Sequence, residues 1–133
     1  MAFSTCESLD TNIIMRLILG DVPHQCEKIL DLFMRRGYTY HISDLAITET
    51  VYNLQKSYSR PDIIKALQKI LELPNINANF NLFQQVFPMY LEHPNLSFND
   101  CCLSVYAALN ESEPLWTFDR DLAKQSPTAK LLA

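Results

Sequence analysis

The stretch PLWTFDRDLAK, from Pro114 to Lys124, closes an apolar and aromatic run with two carboxylates, Asp119 and Asp121, and sets Arg120 between them. Three further acids stand out by position: Asp10 in SLDTNII, Glu49 in LAITETVYNL and Asp100 ahead of CCLSVYAAL. A gathered set of such groups can do what none does alone. Two carboxylates ~5 Å apart repel by roughly 3 kcal/mol at an effective dielectric near 20. A convergent cluster therefore needs protons or a cation, and hard oxygen ligands suit Mg²⁺ or Mn²⁺ rather than zinc. An ion held in this way activates water and steadies the charge of an in-line attack on a phosphodiester. Each acid also has an ordinary use. Asp10 and Asp100 suit helix N-caps, Asp119 suits the cap of a final turn, and Glu49 suits a wet helix face.

The elements that would position these acids alternate between helix and short strand. Residues 12–19 and 23–36 carry helical spacing, the second with Pro23 at its start. YTYHI, from Tyr38 to Ile42, alternates as a strand does. Ser43 is placed to cap a helix through SDLAITETVYNLQKS, and Ser59 with Pro61 opens another. FNLFQQVFPMYLEH reads as a helix kinked or broken at Pro88, and NDCCLSVYAALN as the next. LWTF reads as a buried late strand, with Trp116 a core or interface aromatic. ESL forms a short first strand, with Asp10 after it. Strand followed by helix, repeated, predicts an α/β fold with a small parallel sheet, whose functional groups lie beyond the carboxyl ends of the strands. No repeat or linker interrupts residues 1–133, so one domain is expected.

The totals exclude several classes. The chain has 133 residues, 48% of them hydrophobic, which is enough for a core. No apolar run approaches the ~20 residues of a membrane span, and no secretory signal opens the sequence, so a cytoplasmic protein without a membrane role is expected. Only two glycines occur, Gly20 and Gly37, each placed to end a helix. Phosphate-cradling and dinucleotide loops need several. The net charge of −4 argues against nucleic-acid binding driven by whole-molecule charge, while leaving room for local cations. Cys6, Cys26, Cys101 and Cys102 lack zinc-ligand spacing and are expected as reduced, mostly buried thiols. His24, His41 and His93 share no spacing that suits a metal.

LDTNIIMRLILGD, SDLAITETVYNLQKSY, FNDCCLSVYAAL and PLWTFDRDLAK, in that order and at that spacing, resemble the PIN-domain family, most closely the VapC-type toxins of prokaryotic toxin–antitoxin pairs. The resemblance spans nearly the whole chain. It implies a PIN-like three-layer α/β fold, a small parallel sheet flanked by helices, acting as a metal-dependent endoribonuclease. Asp10, Glu49, Asp100 and Asp119 would be its catalytic acids and Mg²⁺ or Mn²⁺ ligands, with Asp121 auxiliary. Asn12 and Thr117 would support them by hydrogen bonds. Independently of the resemblance, Arg16, Arg35, Arg36, Lys56, Arg60 and Arg120 are candidates for phosphate contact with RNA, Arg120 foremost because it lies between two acids, where an ion pair is its ordinary use. The partners it implies are an RNA substrate, a second copy in a homodimer and a cognate antitoxin protein. The first strand departs from the family: Glu7 and Ser8 stand where a central strand prefers aliphatic residues. An inactive PIN fold serving as an RNA- or protein-binding scaffold is the alternative, and a helical adaptor with scattered cap acids a third.

Overall fold

In the computed structural model, which describes residues 5–132, serines ahead of several helices act as caps. The Ser43 side chain accepts the Ala46 N–H at 3.1 Å and opens α3, Asp44–Leu54. Ser59 accepts the Asp62 N–H at 3.3 Å and opens α4, Arg60–Leu71, with Pro61 in its first turn. Each cap satisfies an N–H that the helix itself leaves without an acceptor. Contacts divide the chain into two units, the first ending at Asn79 and the second beginning at Phe80.

The first unit carries a parallel sheet of β1 (Thr5–Ser8), β2 (Tyr38–His41) and β3 (Ile76–Asn77), in that order. Helices α1 (Thr11–Leu19) and α2 (Pro23–Phe33) cross from β1 to β2, and α3 and α4 cross from β2 to β3. Parallel strands require connections of this length. Thr5 pairs with Tyr38 and Ser8 with His41, while Tyr40 pairs with Ile76. β2 is central and holds the fully buried Tyr40, whose hydroxyl donates to the Leu32 carbonyl at 2.6 Å and ties the sheet to α2. Ile14, Ile42, Ile47, Val51, Ile63 and Leu67 fill the surrounding core. All four β1 residues are exposed and the strand lies at the sheet's edge, which accounts for Glu7 and Ser8 where a central strand would carry aliphatics. Gly20 ends α1 in the left-handed conformation, φ 60°, and its N–H meets the Arg16 carbonyl. Gly37 does not cap α2. That helix stops at Phe33 with Met34 as its cap, short of the expected residue 36, and Gly37, φ 78°, turns the chain into β2.

In the second unit, α5 (Phe80–Glu92) packs against α6 (Phe98–Leu109). The contact is aromatic. Phe83 of α5 stacks on Phe98 of α6 with ring centroids 6.3 Å apart, and Tyr90 meets Phe98 edge-on at 5.3 Å. Of the expected kink or break at Pro88, the break does not occur: α5 runs through Pro88 as one helix. An interior proline costs about 3 kcal/mol, which the buried Phe83, Val86, Phe87 and Tyr90 on that helix offset. β4 (Leu115–Thr117) and β5 (Ala129–Leu131) form a separate two-stranded parallel sheet joined through α7 (Arg120–Gln125). Buried Ser104 and Ser126 share a short hydroxyl contact. Thr128 Oγ1 lies 2.9 Å from Ser104 Oγ and 3.0 Å from Ser126 Oγ, and donates to the Ser104 carbonyl at 3.0 Å. This trio fastens α6 to the segment between α7 and β5.

Among the described residues no helix is long and apolar enough to cross a membrane. All four cysteines are free. Cys101 and Cys102 are buried as expected, whereas Cys26 is half-buried and Cys6 exposed.

Candidate active site

Asp10 follows Leu9 at the end of β1 and occupies the N-cap position of α1, with extended backbone at φ −77°, ψ 158°. Its side chain makes no capping hydrogen bond. A carboxylate in this position ordinarily accepts an N–H from the first turn; Asp10 instead turns an exposed, unengaged acid to solvent. Glu49 is exposed on α3, while its neighbours Thr50 and Val51 are fully buried. Thr11 connects the two positions: its Oγ1 donates to Glu49 Oε2 at 3.2 Å across 38 residues of sequence. Thr11 is itself buried, so its hydroxyl has a fixed direction. The middle residue of the D-T-N motif thus steers Glu49. Asn12, which the family resemblance assigns a supporting role, is exposed and lines, with Ile13, Gln25, Lys28, Ile29 and Leu32, an open groove of about 360 Å³ between α1 and α2.

In the second unit Asp100 is the third residue of α6, and Ser97 is the N-cap. The Asp100 N–H donates to Ser97 Oγ at 3.0 Å, and the Ser97 N–H donates to Asp100 Oδ2 at 3.2 Å. This reciprocal pair is a capping box, legible in the sequence as serine followed three residues later by an acid. Asp119 caps α7, its Oδ1 accepting the Leu122 N–H at 3.1 Å. Thr117 supports it through the backbone: the Asp119 N–H donates to Thr117 Oγ1 at 2.9 Å. Asp121 is exposed in the first turn of α7.

The donor chemistry of these acids fits a hard divalent cation. Asp10 has both oxygens clear of the helix backbone, while Glu49 Oε1, Asp100 Oδ1 and Asp119 Oδ2 lie outside the bonds just described. Among the described residues, however, no three His, Cys, Asp or Glu side chains are grouped as a metal site.

The cations differ in availability. Arg16 is held by Asp21 at 3.1 Å and by Gln25 at 2.9 Å. Arg35 is engaged by the Tyr40 hydroxyl and by Glu7, which together raise its already high pKa, the Tyr40 bond contributing most. Arg120 forms no ion pair with Asp119 or Asp121 and is exposed. Trp116 departs from expectation. It is 53% exposed and Phe118 78%, so the strand leading to Asp119 is not a buried one. Two short strands with one packed face cannot cover a large indole.

Compared with known proteins, the chain matches a family model for the PIN domain over residues 8–126. No curated protein matches. Among solved structures, that of VapBC2 from Rickettsia felis bound to a DNA fragment from their promoter is similar at 18% identity, over 96% of this chain and 98% of that one, with a TM-score of 0.43.

Proposed function

This chain belongs to the PIN-domain family, whose members are generally nucleases, and from that premise we propose that it is a Mg²⁺- or Mn²⁺-dependent endoribonuclease of the VapC toxin type. The observation that carries this reading is Asp10, an acid at a helix N-cap that does not cap. A side chain that makes no capping bond to its own helix keeps both oxygens available for chemistry. Asp10, Glu49, Asp100 and Asp119 would hold the ion, with Asp121 beside them, and the ion would supply charge neutralisation at the phosphodiester. Thr11 fixes the rotamer of Glu49. The capping bonds fix Asp100 and Asp119 in the same way, leaving one oxygen of each outside the cap. Arg120 is the cation placed to meet a phosphate oxygen, and Arg16 would do so only by releasing Asp21. A homodimer and a cognate antitoxin are the partners this reading assigns, on the strength of the four sequence motifs.

The test is cleavage of a labelled RNA pool with Mn²⁺ or Mg²⁺, with and without EDTA, by wild type and by Asp10→Asn. Metal-dependent cleavage that drops by orders of magnitude in the variant is expected. Wild-type cleavage by Asp10→Asn refutes the assignment. Absence of both cleavage and calorimetric Mn²⁺ binding in the wild type would establish the inactive scaffold instead.

A further inference from the structure

The small sheet of the second unit presents an aromatic and basic face that its own packing does not use. Trp116, the chain's single tryptophan, is 53% exposed, Phe118 78% and Leu132 48%. The register sets Trp116 opposite Lys130, and Lys130 Nζ lies 5.7 Å from the indole centroid, within cation–π range. The strand bearing Trp116 runs directly into Asp119 and the exposed Arg120.

Leaving two large rings in water forgoes roughly 25 cal/mol for each Å² of apolar surface, so their exposure points to a ligand that covers them. Its chemistry follows from the neighbours. Lys130 and Arg120 call for a partner carrying negative charge, and the exposed indole and phenyl rings call for one with flat faces. Single-stranded nucleic acid has both, a phosphate chain and unpaired bases that stack on aromatic side chains. A duplex hides its base faces and fits poorly.

We propose that Trp116, Phe118 and Lys130 form a platform on which unpaired bases of the RNA substrate stack, with Lys130 and Arg120 meeting the phosphates as the strand approaches Asp119. This inference rests on the ribonuclease reading and deepens it by naming the side chains on which unpaired bases of the substrate would stack. The platform is a binding surface, separate from the acids that carry the chemistry.

The lone tryptophan makes the face its own reporter. Wild-type protein in EDTA, where cleavage is suppressed, is titrated with an unstructured single-stranded RNA of about 12 nucleotides and with a blunt RNA duplex, following tryptophan emission. Saturable quenching by the single strand and little response to the duplex are expected. Phe118→Ala and Lys130→Ala keep the reporter and should each weaken the titration, Phe118→Ala by about fivefold to about 150-fold, the range of one base–aromatic stack. Trp116→Leu, followed by fluorescence anisotropy of labelled RNA, should weaken binding similarly, and Trp116→Phe should restore much of it. Equal quenching by duplex, no quenching at all, or unchanged affinity in Phe118→Ala and Trp116→Leu overturns the platform. A protein-concentration-dependent emission shift without RNA also overturns it, since another copy of the chain would then cover the face. Cleavage that persists without quenching sinks the platform and spares the nuclease; quenching without cleavage in Mn²⁺ supports the platform and sinks the nuclease.

Discussion

Replacing Ser97 by Ala and, separately, Asp100 by Asn separates what the start of α6 does for stability from what Asp100 does for chemistry. Both residues belong to one capping box, joined by bonds of 3.0 and 3.2 Å. Ser97→Ala removes the oxygen that accepts the Asp100 N–H and should cost about 1 kcal/mol, within a range of about 0.5–2. Asp100→Asn keeps the shape and an acceptor oxygen but loses the charge that favours a helix N-terminus, about 0.3–1 kcal/mol. An unfolding entropy of about 2.1 cal/mol/K per residue over 133 residues is about 0.28 kcal/mol/K, so 1 kcal/mol moves Tm by about 4 °C. Circular-dichroism melts should therefore show Ser97→Ala about 2–7 °C below wild type and Asp100→Asn about 1–4 °C below it. Cleavage should divide the pair the other way, near wild type for Ser97→Ala and down by orders of magnitude for Asp100→Asn. If both variants lose cleavage in proportion to their melting points, Asp100 acts only as a cap, and its assignment as a metal ligand fails.

Thr11→Val, isosteric and without the hydroxyl that restrains Glu49, should lower metal affinity or cleavage by about 10- to 100-fold, the usual effect of losing a residue that orients a ligand; unchanged Mn²⁺ calorimetry and unchanged rates would count against that role. Tyr40→Phe removes the hydroxyl that donates to the Leu32 carbonyl and accepts from Arg35, while the Arg35 N–H still reaches that carbonyl, so a loss of about 1 kcal/mol should appear as a midpoint shift in urea with unchanged m-value. Gly20→Ala forces a left-handed backbone on a residue with a Cβ at a position with open space around it. It should cost about 1 kcal/mol, and Gly20→Asn noticeably less; equal melting points for the two would refute the conformational account.

Local chemistry was the most legible part. Ser43, Ser59 and Pro61 mark helix starts with side chains that act within three residues of themselves, so the sequence alone locates α3 and α4. The short strand of Tyr38–His41 was equally plain from its alternation. What the sequence concealed depends on partners far along the chain. Pro88 obeys a local rule for breaking helices, yet packing by Phe83, Phe87 and Tyr90 overrides it. The exposure of Trp116 depends on which elements cover β4, and no spacing of residues states that. Thr11 carries no local signal of its role, since its partner lies 38 residues away. Asp100 suits an N-cap by its position at a helix start, yet the capping box spelled by SFND makes Ser97 the cap and Asp100 its third-residue partner. The four acids were picked out by position and family motif. Their individual bonds could be described only from the structure.

The hydroxyl trio of Ser104, Ser126 and Thr128 constrains how this sequence can change. The three oxygens bond one another around the buried Ser104 and Ser126, so a lone alanine at one position strands its companions, while replacing all three with small apolar residues leaves only the Thr128 N–H, which donates to Ser126 Oγ, to find a new acceptor. The three positions should therefore drift as a set, with single-substitution penalties that do not add. Positions 104, 126 and 128 are in this sense one evolutionary character, and the stretch carrying Asp119 is bracketed by it.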